Sequence, residues 1–397
     1  MKLFSDSPEC CGCMTCMNLC PKSAIIMEPD EKGFPYPKID LERCVKCGLC
    51  EKCCPMKRKL SFQNTTPLPV FYAVKHRSDK VRMQSSSGGM FTAVSDYVLR
   101  QGGTVYGAAF NNDFSVSHRR AENTRERNLL RGSKYVQSDL GHTFLQVKTD
   151  LASGIPVLFS GTPCQVAGLR LFLLQKKICT DRLYLCDLVC HGVPSSKIFQ
   201  DYLSALQAKF HSEIRSIAFR YKPAGWRAQA VKINFYNGAT YQSAAFNDPY
   251  YRLFLSNVIL RNSCYCCPFA NLRRTSDLTI GDFWGIEKTM PEFEDKKGVS
   301  LVLVNTEKGR QLFQAVKPML EIRFLRSKQG MQPNLNKPSI PSPKTDAFWL
   351  DYQTHGFKFV ARKYAGAGLK GSMKRSAKNI LKRLGIFGVA KKLLQRY

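Results

Sequence analysis

The chain has 397 residues, 44% of them apolar, which suffices for a substantial core and suits a small module plus one large domain. Sixty basic against 30 acidic residues give a net charge of +30, which attracts anionic partners without choosing among them. Nucleic acid is not expected, because no recognisable binding module accompanies the charge and the aromatics are not interleaved with it.

The chain opens on Met1 to Glu9, short and polar, so export is not expected; seventeen cysteines then argue for a reducing, cytoplasmic interior rather than a disulfide framework. No run approaches the roughly 20 apolar residues that cross a bilayer. Two cysteine runs 34 residues apart share one spacing: Cys10, Cys13, Cys16 and Cys20 followed by Pro21, then Cys44, Cys47, Cys50 and Cys54 followed by Pro55. Two-residue gaps let three thiolates wrap a 4Fe-4S cube while the fourth reaches a neighbouring cube. By that rule of two-cluster ferredoxins, Cys10, Cys13, Cys16 and Cys54 are expected to hold one cluster, and Cys44, Cys47, Cys50 and Cys20 the other. A pair of zinc sites is the rival, but zinc usually takes two CxxC pairs per metal and shares no ligand in this way. Cys11 and Cys53 fall outside both sets and receive no role.

The first unit spans residues 1–60, and residues 61–69, with Thr-Thr-Pro-Leu-Pro, read as a linker. Beyond it, apolar runs alternate with helical patterns: strand Val70 to Lys75, helix Gly89 to Arg100, strand Thr104 to Phe110, helix His142 to Ala152, strand Pro156 to Ser160, helix Gln165 to Gln175 and strand Leu183 to Val189. Ser216 to Arg220 and Val231 to Tyr236 alternate with period two and suggest an antiparallel pair; Val299 to Asn305 reads as a buried strand. This alternation predicts an α+β or α/β fold: a mixed-sheet domain over residues 70–345. Residues 346–397 read as a basic helical tail with twelve Lys or Arg and no acid from Tyr352 onward. Its apolar stripe beside a cationic face suits either peripheral contact with anionic membrane or a solvated, partner-packing helix.

Four segments carry more chemistry than a core needs. Gln84-Ser-Ser-Ser-Gly-Gly89 opens a helix, where backbone amides and the helix dipole favour a phosphate. Gly161-Thr-Pro-Cys164 and Cys190-His-Gly192 each follow a strand directly, the place where open α/β sheets put ligands. Cys264 and Cys267 form a CxxC pair, so Cys164, Cys190, Cys264 and Cys267 would complete another thiolate quartet. Cys179 and Cys186 are expected to be plain buried side chains, and Cys266 has no role.

These residues resemble the beta subunit of coenzyme F420 hydrogenase and dehydrogenase, together with its relatives that carry a fused ferredoxin domain. The matching stretches are Gln84 to Gly89, Arg131-Gly-Ser-Lys-Tyr-Val-Gln-Ser138, Phe159 to Gln165, Cys190-His-Gly-Val-Pro-Ser195, Arg261 to Cys267, Arg274 to Gly285 and Lys297-Gly-Val-Ser300. The resemblance runs to about residue 355. It implies a flavoprotein that binds FAD, with a third 4Fe-4S cluster on Cys164, Cys190, Cys264 and Cys267. For FAD it points to Ser86, Ser87, Gly88 and Gly89, with Ser133, Lys134, Tyr135 and Thr162 as further contacts. Lys134 would offset a phosphate or the reduced flavin's anion, and His191 would donate to flavin or move a proton. Asp277 and Asp282, with Arg273, Arg274 and Trp284, either close the pocket or form a turn and an ion pair.

The expected function is an iron-sulfur flavoprotein oxidoreductase. It would be served by ferredoxin or another redox protein and exchange a hydride with a small two-electron substrate, F420 or a glycan-linked molecule of polysaccharide biosynthesis. Its expected location is cytoplasmic, with the tail as the link to the inner membrane face. The alternative is a non-catalytic electron-transfer subunit that docks a partner enzyme.

Overall fold

The two cysteine runs fold as loops that each enter a single helical turn, Thr15–Leu19 and Leu49–Lys52, through a left-handed residue, Met14 (φ 57°) and Gly48 (φ 71°). Between them β1 (Ile25–Pro29) and β2 (Pro35–Ile39) pair antiparallel, with Ile25 opposite Ile39 and Pro29 opposite Pro35. The structure is a computed structural model that describes residues 10–57 and 68–366. Most of the expected linker 61–69, and the tail beyond Gly366 with its proposed lipid-facing stripe, lie outside the described residues.

The large sheet begins with β3 (Val70–His76) and β4 (Thr104–Phe110), then β5 (Val116–Ala121), β6 (Val157–Gly161) and β7 (Leu183–Leu188). A separate three-stranded sheet follows, made of β8 (Ile214–Tyr221), β9 (Ala230–Phe235) and β10 (Thr240–Ser243) in the order β10-β9-β8, so the two period-two runs are indeed neighbours. The large sheet is completed by β11 (Leu278–Asp282), β12 (Ser300–Val304) and β13 (Leu320–Leu325). Its order is β13-β3-β12-β11-β7-β6-β4-β5. The four central strands β11, β7, β6 and β4 are parallel, and the edges are antiparallel, so the sheet is mixed as the alternation predicts.

Composition explains this layout. β12 (Ser-Leu-Val-Leu-Val) is buried along its whole length and β6 along most of it, as strands covered on both faces must be. Helix Pro163–Gln175, with proline in its first turn, starts where Gln165 Oε1 accepts from the Thr162 amide at 3.0 Å. The eleven-residue helix Met90–Arg100 starts from Gly89 in the left-handed region (φ 94°). β5, helix Thr124–Leu130 and helix Ser196–Phe210 have no counterpart in the sequence reading.

Two compact units result: residues up to 200 with 218–229 and 260–340, and residues 201–217 with 230–259 and 341 onward. This division differs from the sequence boundaries, because the cysteine-rich module belongs to the same unit as the large sheet. Met14, Leu19 and Cys53 of the module share one apolar cluster with Phe144, Phe159, Leu169 and Phe172. At Gly168 an added Cβ would stand 2.3 Å from Thr15 Oγ1 and 3.2 Å from Cys13 Sγ, so glycine admits this close approach. In the second unit, buried Asp248 caps helix Pro249–Leu255 by accepting from the Tyr251 amide (2.8 Å) and takes the Tyr202 and Tyr241 hydroxyls at 2.8 and 2.9 Å. Among the described residues no helix is long and apolar enough to cross a membrane.

Gly88 lies against backbone, where a Cβ would meet Val74 O at 2.2 Å and Ser300 N at 2.6 Å. Gly88→Ala should therefore destabilise by about 3 kcal/mol, the upper range for overpacking. Gly107→Ala, whose Cβ would meet Leu130 at an ordinary 3.5 Å, should stay within about 1 kcal/mol of the unmodified chain. Denaturant melts of the two variants would reveal the difference.

Candidate redox centre

Parallel pairing of β6 and β7 sets Gly161 opposite Asp187, so Cys164 and Cys190 each follow the paired position by three residues. The sheet thus delivers both cysteines to one edge, at the carboxyl ends of adjacent strands. They line a recess of ≈ 490 Å³, open mouth included, with Cys264, Cys267, Cys11, Thr162 and His191. A second recess of ≈ 440 Å³ is lined by Cys20, Cys44, Cys47 and Cys50, the crossed quartet that the ferredoxin rule requires. The remaining four are neighbours within the module: Cys54 feels Cys13 and Cys10, and Cys16 feels Cys13, Cys10 and Cys54.

The donor chemistry of these three groups is uniform. Loss of water pushes the Cys54 and Cys267 thiols up to about 11 and Cys264 up to about 12, so burial alone disfavours their thiolates. A bound metal centre supplies the charge that stabilises thiolates. Backbone amides already point at the sulfurs, Gly12 to Cys10 and Val193 to Cys264 at 3.4 Å and Ala24 to Cys20 at 3.3 Å. Among the described residues no three His, Cys, Asp or Glu side chains converge closely enough to hold a single ion. Two of the quartets line one recess each, and four thiols around one recess are the donor set that a four-iron group takes.

The quartets differ in exposure. Cys47 is exposed, with Leu41 and Val45 beside it 61% and 57% exposed, while Cys10, Cys13 and Cys54 are buried. Cys11 lies between two groups, in hydrogen-bonding contact with both Cys13 and Cys164, and these contacts lower both neighbours' thiol pKa. Cys53 and Cys186 are core side chains, whereas Cys179 and Cys266 are exposed, which corrects the expectation that Cys179 is buried.

The expected flavin residues divide. Ser86 Oγ meets Ser133 Oγ at 2.8 Å and accepts the Ser133 amide at 2.8 Å, so two of the predicted segments touch. The Ser87 hydroxyl is committed to Val299 O (2.6 Å) and the Gly88 amide to Ser300 Oγ (2.9 Å), which anchors the loop on β12 rather than offering those groups outward. Lys134, half-buried, donates to Leu129 O and Arg131 O at 2.9 and 2.8 Å, and loss of water pulls its pKa down to about 7. Tyr135 packs edge-on against Phe219. Thr162 and His191 sit at the strand-end recess instead, Thr162 Oγ1 lying 3.1 Å from Cys164 Sγ. Ser133 and Gln137 connect the two places: Gln137 Nε2 reaches Cys11 O at 3.5 Å, and four peptide steps span at most about 14 Å.

Several residues here escaped the sequence reading. Arg220, at φ 61°, pairs with Asp282 at 2.6 Å and lies over Trp284, which is stacked on Trp226 at 4.7 Å. Lys222 donates to Arg82 O, Ser87 O and Lys297 O and so ties down the serine loop. Arg274 pairs with Asp187, while Asp277 accepts the Leu185 amide and the Thr306 hydroxyl, so the ion-pair reading of this stretch holds with partners that spacing does not give.

Residues 156–327 match the family model for the C terminus of the coenzyme F420 hydrogenase/dehydrogenase beta subunit, and residues 9–57 match the 4Fe-4S dicluster domain. The chain thus carries the C-terminal domain of the coenzyme F420 hydrogenase/dehydrogenase beta subunit, with a 4Fe-4S dicluster domain at its N-terminal side. It is an iron-sulfur electron-transfer protein of an oxidoreductase family. An uncharacterized ferredoxin of Methanocaldococcus jannaschii is 36% identical over 55 residues, 14% of this chain and 70% of that protein. A chain in the solved structure described as a xenon derivatization of the F420-reducing [NiFe] hydrogenase complex from Methanosarcina barkeri is 14% identical, over 78% of this chain and 92% of that one, with a TM-score of 0.46.

In this domain the Asp187–Arg274 pair fixes the end of β7 just before Cys190, with Thr279 Oγ1 donating to Asp187 at 2.6 Å. Asp187→Asn leaves a buried guanidinium without its counter-charge and should cost about 3–5 kcal/mol in denaturant unfolding.

Proposed function

We propose that the chain is an iron-sulfur flavoprotein oxidoreductase. Cys10, Cys13, Cys16 and Cys54 would hold one four-iron cluster, Cys44, Cys47, Cys50 and Cys20 a second, and Cys164, Cys190, Cys264 and Cys267 a third. Ser86 and Gly89, with Ser133, Lys134 and Tyr135, would hold FAD, while the Ser87 hydroxyl and the Gly88 amide fix the loop on β12. The observation that carries this reading is the unbroken series of contacts from surface to loop. It runs from exposed Cys47 to Cys50, whose carbonyl accepts from Cys53 Sγ at 3.4 Å, from Cys53 to Cys13, which acts on it, then through Cys11 against both Cys13 and Cys164, and along residues 133–137 to Ser86. When bound, the clusters supply one-electron transfer and the flavin supplies conversion between one- and two-electron chemistry.

The chain's own groups do the positioning. Lys134, with Arg131 and Arg220 close by, provides positive charge for a phosphate or an anionic ring, and Gly89 opens the eleven-residue helix Met90–Arg100 toward the same loop. Thr162 orients Cys164, and the His191 imidazole is placed at the strand-end recess to hold or pass a proton at a ring nitrogen. Leu41 and Val45 beside Cys47 offer a ferredoxin or another redox protein an apolar landing. The two-electron substrate would be F420 or a glycan-linked molecule of polysaccharide biosynthesis. The glycan reading and contact with anionic membrane rest on the composition of the tail; unchanged activity and location after deletion of residues 366–397 would remove their support.

Anaerobic purification with iron, sulfide and flavin counts should give about twelve irons and one FAD per chain. Cys164→Ala should lose about four irons and Cys266→Ala none; clusters without flavin would favour the non-catalytic carrier. A second expectation concerns charge. Because Lys134 sheds its proton near pH 7, FAD affinity should fall between pH 6 and pH 8 in a fluorescence titration. Lys134→Gln should weaken binding about tenfold at pH 6, about 1.4 kcal/mol, and flatten the pH dependence.

A further inference from the structure

A buried guanidinium is costly unless a negative group answers it. Arg220 and Arg274 are answered by Asp282 and Asp187. Arg261 is 0% exposed, yet its donors reach only uncharged acceptors: Nε to Cys10 O at 2.8 Å, one terminal nitrogen to Gln137 Oε1 at 3.1 Å, the other to Pro35 O at 2.9 Å. Its guanidinium also lies 4.2 Å from the Tyr36 ring centroid. Among the described residues no carboxylate pairs with it.

Its position accounts for this. Gly12 has φ 69°, and an added Cβ there would stand 2.4 Å from Gln137 Nε2 and 3.0 Å from an Arg261 terminal nitrogen, so the first cysteine loop is shaped around the guanidinium. On the other side Arg261 precedes the short helix Asn262–Cys264, whose Cys264 amide donates to Arg261 O at 2.9 Å. We propose that Arg261 is the shared counter-charge of the buried module quartet and the strand-end quartet, and that it sets the reduction potential of the groups held by both. In agreement, its charge acts on Cys10 and Cys13 on one side and on Cys164 and Cys264 on the other. The exposed quartet is different: Cys50 answers to Glu51 and Cys47. A fixed positive charge favours the more negative, reduced state, so removing it lowers the potential. The strand-end half of this inference rests on the third-cluster reading above.

The test is an anaerobic, EPR-monitored redox titration of the full chain, with iron counted on the same samples. Arg261→Gln keeps hydrogen bonding but removes the charge. It should lower the potential of both buried centres, by at least a tenfold fall in the reduced-to-oxidised ratio at fixed potential, which is about 59 mV for one electron. The exposed centre should not move, and Arg261→Lys should lie near the unmodified chain. Gln137→Glu, which keeps every Arg261 donor but sets a carboxylate on the guanidinium, should shift the same two centres downward and decides the matter if Arg261→Gln fails to retain iron. Unchanged potentials with full iron, or loss of iron from both variants, would make Arg261 a scaffold residue and overturn the proposal. About eight irons in the unmodified chain would instead refute the third cluster itself, and the module centre alone would then judge Arg261.

Discussion

Parallel pairing of β6 with β7 is the constraint from which the rest of the redox centre follows. Because Gly161 stands opposite Asp187, the strands release Cys164 and Cys190 in step, and a slip in either strand would separate them. The same edge receives the end of β11 with Asp282 and Trp284, while helix Pro163–Gln175, launched from β6, gives the cysteine-rich module its seat at Gly168. One register therefore aligns two thiols, places an aromatic platform and seats the cysteine-rich module. The buried Asp187–Arg274 pair guards that register at the strand end, which makes sense of an ion pair in a place where desolvation is expensive.

Uncompensated positive charge is a recurring device in this unit. Lys134, Lys222 and Arg261 all use carbonyl or amide oxygens as their acceptors. Carbonyl dipoles satisfy the donors without cancelling the charge, so Arg261 keeps a field in the interior, whereas loss of water brings Lys134 and Lys222 down to about 7. Such a field is wasted in an inert core and useful beside clusters and phosphates, both of which carry negative charge. The total of +30 is silent about this, since solvent screens most of it.

The legible parts of the sequence were those where chemistry and period coincide. β4 appears with the bounds its apolar run implies, and the helix ending at Arg100 begins one residue after the predicted Gly89. Cys20 lines one recess with Cys44, Cys47 and Cys50, the four residues that the spacing groups by letting the fourth cysteine of one run reach the other cube. Helix Ser196–Phe210 and strand β5 were illegible for local reasons: β5 mixes His118, Arg119 and Arg120 into a strand whose burial depends on neighbours far along the chain. Partner choice was equally hidden. Nothing near Asp187 in sequence announces Arg274, and Gly12, Gln137 and Arg261 are separated by more than a hundred residues at each step. Side chains such as Ser87 and Thr162, which looked like ligand contacts, are partly spent holding their own loops together.

The shared apolar cluster of Met14, Leu19 and Cys53 with Phe144, Phe159, Leu169 and Phe172 has a kinetic meaning. A ferredoxin that visits its acceptor must find it by diffusion, so its traffic depends on concentration and on ionic strength. Here the same kind of module shares one core with the large sheet, so electron transfer between them would be a first-order event at a fixed separation. On the proposed function, the encounters left to solution conditions are those with the redox partner, beside Cys47, and with the two-electron substrate.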